Sequence, residues 1–244
     1  MSRRLTSFVL KIIAAISMLL DHAGIILYHA SDALRIAGRL AFPIYAYCIA
    51  EGFRYTRNRV KYFLRIFLLG VLCQIVYTIA ENRLYLGTLI TYSISILLLA
   101  AADSVKKATK GEKSGFAVLS EKLLKREMTN SFDRFFSTSV FAMLLFLVFF
   151  LTTRVTVDYG FFGVLLPVCA GLFEDRGQRL VMFSAGLLAL CIHSVDFPIE
   201  WYALAALPLL FLYNGKPGRV RLKYFFYIFY PAHLVILYGI SLLR

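Results

Sequence analysis

The apolar stretch at residues 8–28 constrains this chain more than any other part of its sequence. It reads FVLKIIAAISMLLDHAGIILY and has about the length that a helix needs to cross a bilayer. Lys11, Asp21 and His22 interrupt it. Because a charged side chain at the centre of a bilayer costs about 2.5–3.5 kcal/mol, a helix that only anchors the chain would avoid these residues. We therefore predict a membrane helix that forms one wall of a buried site.

The spacing of the titratable residues predicts which face of this helix lines the site. Lys11 and His22 are eleven positions apart, close to three full turns, so they share a face about 16 Å apart along the axis. Ala14, Ala15 and Met18 lie between them on that face, and His29 continues it. Small side chains beneath a Lys–His stripe indicate a slot between helices and not a lipid-facing ridge.

Composition places the whole chain in a membrane. Hydrophobic residues make up 60% of the 244 positions, whereas soluble domains contain about 45–50% apolar residues. The net charge of +13 would suggest nucleic acid in a soluble protein, but here the basic residues lie between apolar runs. The cytoplasmic Lys/Arg bias of membrane proteins explains them, so no nucleic-acid partner is expected. The four cysteines lie in apolar segments without metal-site spacing, which predicts packing roles and no metal.

The hydropathy pattern predicts an all-α fold, a polytopic transmembrane helix bundle of about nine spans (eight to ten) that forms a single integral membrane domain, 1–244. The apolar segments are 8–28, 36–53, 62–80, 84–102, 137–153, 158–173, 180–195, 200–213 and 223–242. The segments 158–173 and 200–213 are short and each contains a proline, so either is a candidate for a re-entrant segment.

Basic residues predict the orientation. If the N-terminus is cytoplasmic, the cytoplasmic pieces hold twenty Lys and Arg residues and the outside pieces hold four. An odd number of spans then places the C-terminus outside. The polar stretch 103–136 becomes a cytoplasmic loop, either a solvated linker or an amphipathic surface helix at 116–128.

Two charged residues of the second segment, Arg39 and Glu51, are candidates for the site. Arg39 is either an anchor that extends to the outer interface or the partner of Asp21, which points about 100° away from His22 on the first helix. Glu51 lies near the inner end of its segment.

Arg65 lies at a depth similar to that of Glu51. It either pairs with Glu51 or joins Lys11 and Arg54 around an anionic ligand that enters from the cytoplasm.

Two later motifs add candidate polar groups. Asp158 and Tyr159 open the sixth segment, DYGFFGVLLP, on the outer side. His233 lies near the middle of the last segment, where Tyr227 and Tyr230 can share its face. Pro231 leaves the carbonyl of residue 227 without its helical donor, so this cluster is either a structural hydrogen-bond network or part of the site.

Several of these motifs together resemble the TraX family. They are LKIIAAISMLLDHAGIIL, GRLAFPIYAY with AEGFRYTRN, DYGFFGVLL, LYNGKPG and KYFFYIFYPAHL, spread over nearly the whole chain. The name-giving member of that family is associated with N-terminal acetylation of conjugative pilin. The resemblance therefore implies an acetyltransferase of the bacterial cytoplasmic (inner) membrane that uses acetyl-CoA. The first helix is also similar to the basic-x10-His arrangement of membrane acyltransferases that modify cell-surface sugars, with Lys11 where those usually have Arg.

The resemblance assigns expected roles to the residues found above. Acetyl-CoA would present its phosphates to Lys11, Arg54 and Arg65, with His22 as general base or transient acetyl carrier. His233 would be a second base or an oxyanion donor. The remaining candidates for substrate or cofactor contact are Arg39, Glu51, Asp158, Tyr159 and Tyr230, with Asp21 as a further catalytic candidate.

Two other classes of function stay open. A transporter or channel would use His22, Glu51 and His233 as a proton or ion path, although no inverted repeat is visible. A non-catalytic membrane partner in pilus or surface-appendage assembly would leave the titratable stripe unexplained. The expected partners are the lipid bilayer, acetyl-CoA and a pilin-like or surface-glycan acceptor.

Overall fold

The computed structural model describes residues 5–28, 31–81, 85–194, 197–218 and 223–243. The helices, in chain order, are α1 (Ser7–Ile26), α2 (Asp32–Gly38), α3 (Ala41–Tyr55), α4 (Arg59–Glu81), α5 (Thr88–Thr109), α6 (Gly115–Leu124), α7 (Asn130–Arg154), α8 (Gly160–Gly171), α9 (Arg176–His193), a 3-10 helix (Pro198–Ala205), α10 (Ala206–Leu212) and α11 (Lys223–Ser241). Strand pairing within these described ranges is limited to two isolated bridges, Leu5 with Tyr213 and Leu86 with Val157. The predicted all-α class is therefore confirmed for the described residues.

Among the described residues, five helical stretches are long and apolar enough to cross a membrane. They are Ser7–Ile26, Asp32–Tyr55, Arg59–Ile79, Thr88–Thr109 and Asn130–Arg154. Each predicted apolar segment overlaps a helix, but α8 has 12 residues and α10 has only 7. These two are too short to cross a bilayer alone as straight α-helices. The exact number of nine spans thus stays a prediction, whereas the apolar helical bundle is present.

Local sequence determines several helix boundaries. Side-chain oxygens accept hydrogen bonds from first-turn backbone N–H groups at the starts of α1, α6, α7 and α9, where the capping residues are Thr6, Ser114, Thr129 and Asp175. The predicted segment 36–53 is divided because residues 39–40 form a turn between α2 and α3. Pro43 lies in the first turn of α3, where its missing N–H costs no helical hydrogen bond.

Contacts between helix ends fall into two groups. At one end, Arg59 pairs with Asp103, Arg179 pairs with Glu51, and the backbone of Leu5 joins that of residue 212. We call this the basic end, because the predicted cytoplasmic segments that the structure describes meet there. At the far end, α1, the α2–α3 turn, the start of α8 and the 3-10 helix come together. Which end faces the cytoplasm stays a prediction.

His29 and six of the arginines counted for the orientation lie outside the described ranges. They are Arg3, Arg4, His29, Arg83, Arg219, Arg221 and Arg244.

The stretch 103–136 is helical over most of its length, and one of its helices lies where the amphipathic surface helix is predicted. Helix α5 continues to residue 109, α7 already begins at residue 130, and α6 occupies 115–124, inside the predicted amphipathic helix. Leu119, Leu123 and Leu124 are exposed on α6. The start of α6 is fixed because the Ser114 backbone N–H and hydroxyl both donate to the Asp133 carboxylate of α7.

Helices α3 and α8 lie at the centre of the bundle and α7 lies at its edge. Val164 and Leu166 on α8 are fully buried, as is Ile44 on α3. By contrast, α7 exposes large apolar side chains, among them Phe146 and Phe149, which is typical of a lipid-facing helix.

Candidate functional site

A central cavity of about 1070 Å³ runs along α1 between α3, α4, α5, α8 and α11. Its lining includes Ser7 near one end of α1 and Ile26 at the other. The nineteen helical rises from Ser7 to Ile26 span about 28 Å, close to the hydrocarbon thickness of about 30 Å. Lys11, Met18 and His22 line this cavity, as their helical spacing predicts. The first helix is therefore one wall of a buried cavity.

Two of the four free cysteines also line the central cavity. Cys48 of α3 and Cys73 of α4 line the cavity, whereas Cys169 and Cys191 pack elsewhere. Cys73 and Cys191 are buried, and the other two are half-buried.

A histidine pair joins α1 to α11. The Nδ1 atom of His22 lies 2.6 Å from the Nε2 atom of His233, and the two rings stack with centroids 4.9 Å apart. The other ring nitrogen of His233, Nδ1, lies 2.8 Å from the carbonyl oxygen of Phe229, one turn earlier on α11. The ring of Tyr230 packs edge-on against His233. The sequence indicated the cluster on α11 but not its contact with His22.

These contacts fix the tautomers of a neutral pair. The carbonyl of Phe229 can only accept, so His233 carries its proton on Nδ1 and presents a lone pair on Nε2. That lone pair accepts from His22, which must then carry its proton on Nδ1. His22 is left with a basic lone pair on Nε2. Since the partner of one ring nitrogen determines which nitrogen is basic, His233 orients the His22 imidazole and leaves the lone pair on its Nε2.

His233 forms a hydrogen bond with a different backbone carbonyl from the one that the sequence indicated. Pro231 was predicted to free the carbonyl of residue 227 for the polar cluster, but the imidazole bonds the carbonyl of Phe229. Tyr227 and Tyr230 both line the cavity. The face predicted for His233 and the two tyrosines is thus directed towards α1.

A buried ion cluster lies beside the histidine pair at the far end. The Arg39 guanidinium donates to Asp21 of α1 and to Glu200 of the 3-10 helix, and its Nε donates to the carbonyl of Arg35 at 3.3 Å. Only 6% of Arg39 is exposed, so its interpretation as an interfacial anchor is wrong. Its predicted pairing with Asp21 is confirmed, because both side chains are desolvated at the same depth and need opposite charges.

Asp158 and Tyr159 complete the far end of the cavity. The Asp158 carboxylate accepts from the hydroxyls of Thr88 and Tyr85, the latter at 2.7 Å. Tyr159 has a left-handed backbone (φ 60°) and stacks on Phe42 with ring centroids 3.6 Å apart. A non-glycine residue in this conformation stores strain, which is often found at functional sites.

At the basic end, Glu51 is engaged by a residue that the sequence analysis did not pair with it. Arg179 of α9 donates to Glu51 and, at 3.2 Å, to the hydroxyl of Tyr47. Tyr213 also donates to Glu51, at 3.3 Å. The predicted pairing of Glu51 with Arg65 is therefore wrong, since Arg65 is exposed on the outer side of α4.

The three predicted phosphate ligands do not surround one site. Lys11 lines the central cavity, Arg54 lines a second cavity, and Arg65 is in the lining of neither. Arg54 donates to the carbonyl of Phe173 at 3.3 Å. Because α4 turns Arg65 outward, the coenzyme set expected from the sequence reduces to Lys11 within the central cavity.

Glu200 and Arg179 are two charged residues of these clusters that the sequence did not indicate. Glu200 is 7% exposed and lines the central cavity, and its Oε2 atom is buried without a hydrogen-bond partner among the described residues. The available signal was an isolated carboxylate at the start of an apolar segment. Arg179 had no such signal, because a basic residue in a predicted cytoplasmic loop is unremarkable.

Comparison with known proteins gives two curated relatives. The probable fimbrial assembly protein FimC, serogroup H1, of Dichelobacter nodosus is 27% identical over 266 residues, covering 97% of each chain. RP591, described as uncharacterized, of Rickettsia prowazekii (strain Madrid E) is 36% identical over 85 residues, which covers 35% of this chain and 32% of that protein. No solved structure matches the chain significantly.

One family model covers the helical architecture almost from end to end. The model described as TraX protein matches residues 7–241, which begin with the first residue of α1 and end with the last residue of α11. Both histidines and the Asp21–Arg39–Glu200 cluster fall within that match. The chain therefore belongs to the TraX family.

Proposed function

We propose that this TraX-family protein is an integral membrane acetyltransferase that moves acetyl from acetyl-CoA to an amine or hydroxyl acceptor. The observation that supports it best is the His22–His233 pair in the wall of the central cavity. The pair supplies an oriented imidazole with a basic Nε2, which acyl transfer requires and which a packing contact alone would not need.

The proposed step is a direct transfer. His22 Nε2 takes the proton of the acceptor as its nitrogen or oxygen attacks the thioester carbonyl of acetyl-CoA. The new bond to the acetyl carbon forms, the carbon–sulfur bond breaks, and the CoA thiolate takes the proton from the His22 imidazolium. His233 keeps the tautomer of His22 correct by accepting from its Nδ1–H throughout.

The charges of the cavity suggest where each substrate lies. Lys11 lies one turn into α1 from the basic end, so it is proposed to hold a phosphate of acetyl-CoA. The acetyl group must then extend about 16 Å along α1 to reach His22. At the far end, the unpartnered Oε2 of Glu200 is suited to accept a hydrogen bond from an acceptor amine or hydroxyl. Asp21 and Arg39 are proposed to position that carboxylate, since both are already engaged.

The acceptor is proposed from the comparisons. The relative that matches over 97% of each chain is named as a probable fimbrial assembly protein. That name favours a pilin-like subunit over a surface glycan as the acceptor. The location proposed for this step is the bacterial inner membrane, with the N-terminus of the chain in the cytoplasm and acetyl-CoA entering from there.

The test uses the purified full chain in detergent with radiolabelled acetyl-CoA. We expect CoA release above the rate of spontaneous hydrolysis, and release should rise when amine- or hydroxyl-bearing acceptors are added. The matched control is His22→Asn, which keeps a donor for His233 and removes the base. CoA release that is equal in both proteins would contradict the proposal.

The rival function is a non-catalytic partner in fimbrial assembly, which the name of the same relative favours. A scaffold of this kind would bind its partner subunits equally well with His22→Asn. It would also show no CoA release. The two assays together therefore separate an enzyme from a scaffold.

A further inference from the structure

A second cavity, of about 420 Å³, lies at the basic end between α3, α5, α8 and α9. None of its lining residues lines the central cavity. One wall is apolar and contains Phe53, Leu99, Phe141 and Leu172. The lining also contains the cations Arg54, Arg59, Lys106 and Arg179 and the carboxylates Asp103 and Glu174. The cavity is therefore amphipathic.

The two carboxylates of this cavity are each shared by two cations. Asp103 accepts from Arg59 at 2.5 Å and lies 3.3 Å from Lys107. Glu174 lies 2.8 Å from the ammonium groups of both Lys106 and Lys110. These two bonds lower the pKa of Glu174 to about 2, so it is ionised at neutral pH. Four cations are thus satisfied by only two anions.

Of the two other arginines, Arg54 adds to this excess of cations and Arg179 has an unused donor. Arg54 bonds the carbonyl of Phe173, and no carboxylate in the described part of the chain pairs with it. Arg179 is buried and committed to Glu51, yet its Nε atom has no hydrogen-bond partner among the described residues. An anion in this cavity would offset the excess of positive charge, and one that reached the Nε of Arg179 would also satisfy a buried donor.

We propose that this cavity binds the phosphate of an anionic phospholipid. Guanidinium groups match phosphate oxygens in pairs, and the excess of cations supplies the opposite charge. The apolar wall, which includes Phe141 of the lipid-facing helix α7, suits the start of an acyl chain. Basic pockets between membrane helices bind anionic headgroups in this way. The site is independent of acetyl transfer, since it is separate from Lys11 and His22.

The test is native mass spectrometry of the purified full chain, titrated with phosphatidylglycerol and, separately, with phosphatidylcholine. We expect one phosphatidylglycerol to bind in preference to phosphatidylcholine. Arg54→Ala and Lys106→Ala should each weaken this binding at least about fivefold, the value of one basic contact near the membrane surface. Arg57→Ala is the matched control, because it removes the same charge three residues from Arg54 outside the cavity lining.

The outcomes separate the possible ligands. A loss in Arg54→Ala and Lys106→Ala but not in Arg57→Ala supports the site, provided that all variants keep the wild-type melting temperature. An equal loss in Arg57→Ala, or no loss in any variant, overturns it. Inorganic pyrophosphate that binds with the same Arg54 dependence while phosphatidylglycerol does not would overturn the lipid source. Loss of acetyl-CoA binding in Arg54→Ala would instead assign the cavity to the coenzyme and also overturn the proposal.

Discussion

Replacement of His22 by Asn isolates the proposed base from the hydrogen bond that orients it. The Asn amide nitrogen can take the place of Nδ1 and still donate to His233 Nε2, so the contact of 2.6 Å has a substitute. Asn has no counterpart of Nε2. General-base loss typically lowers a rate by about 10²–10⁴-fold, which is about 2.7–5.5 kcal/mol of transition-state stabilisation. We expect that loss in the rate of acetyl transfer, with unchanged acetyl-CoA affinity.

Variants of His233 distinguish orientation from chemistry. In His233→Gln the amide oxygen can accept from His22 Nδ1–H, so the tautomer is kept and we expect the rate to stay within about tenfold of wild type. His233→Leu leaves that buried donor unsatisfied, which costs about 1–3 kcal/mol, or about 5–150-fold, if the pair forms throughout the reaction. A rate of His233→Gln as low as that of His22→Asn would indicate that His233 itself transfers protons.

Single-turnover acetyl transfer by the detergent-solubilised protein measures these rates, and thermal unfolding checks that each variant is folded. If folded His22→Asn keeps more than about half of the wild-type rate, His22 is not the general base. The proposal that α1 is the catalytic wall would then be refuted.

Three further predictions concern stability and orientation. Arg39→Ala should destabilise the protein by about 3–5 kcal/mol in thermal unfolding, because the buried Glu200 and the half-buried Asp21 lose their shared partner; a shift below about 1 kcal/mol would contradict this role. Gly38→Ala should lower the melting temperature markedly, because a Cβ there would lie 2.8 Å from the Cα of Asp21, whereas Gly239→Ala meets nothing within 4 Å and should have little effect. A cysteine in place of Lys122 should react with an impermeant maleimide only after the cells are permeabilised, and labelling of intact cells would reverse the predicted orientation.

The sequence predicted those parts of the site that follow from helical spacing and from the cost of burying charge. Lys11 and His22 share the cavity face because their separation is close to three turns. Asp21 and Arg39 could be paired because they have opposite charges and lie towards the same predicted side of the membrane in consecutive apolar segments. In each case the relevant information is local, within one helix or between two helices that follow each other in the chain.

Contacts between distant helices could not be predicted in this way. His22 and His233 are 211 positions apart, and no periodicity within either helix indicates that their imidazoles meet. Glu51 had a plausible partner in Arg65, but the rotation of α4 turns Arg65 outward and the packing of α9 brings Arg179 instead. Which face of one helix contacts which face of another depends on packing across the whole bundle, and a single sequence does not state it.

Cys48 and Cys73 lie in the wall of the central cavity, so their alkylation in the native protein can report whether a ligand occupies the cavity. A small, uncharged alkylating reagent that diffuses into the cavity would encounter these two thiols, whereas the half-buried Cys169 lies outside the lining and serves as an internal reference. A molecule that fills the cavity would shield Cys48 and Cys73 and leave the labelling of Cys169 unchanged. Peptide mapping of alkylated wild-type protein can therefore screen candidate donors and acceptors for occupancy before any turnover has been observed.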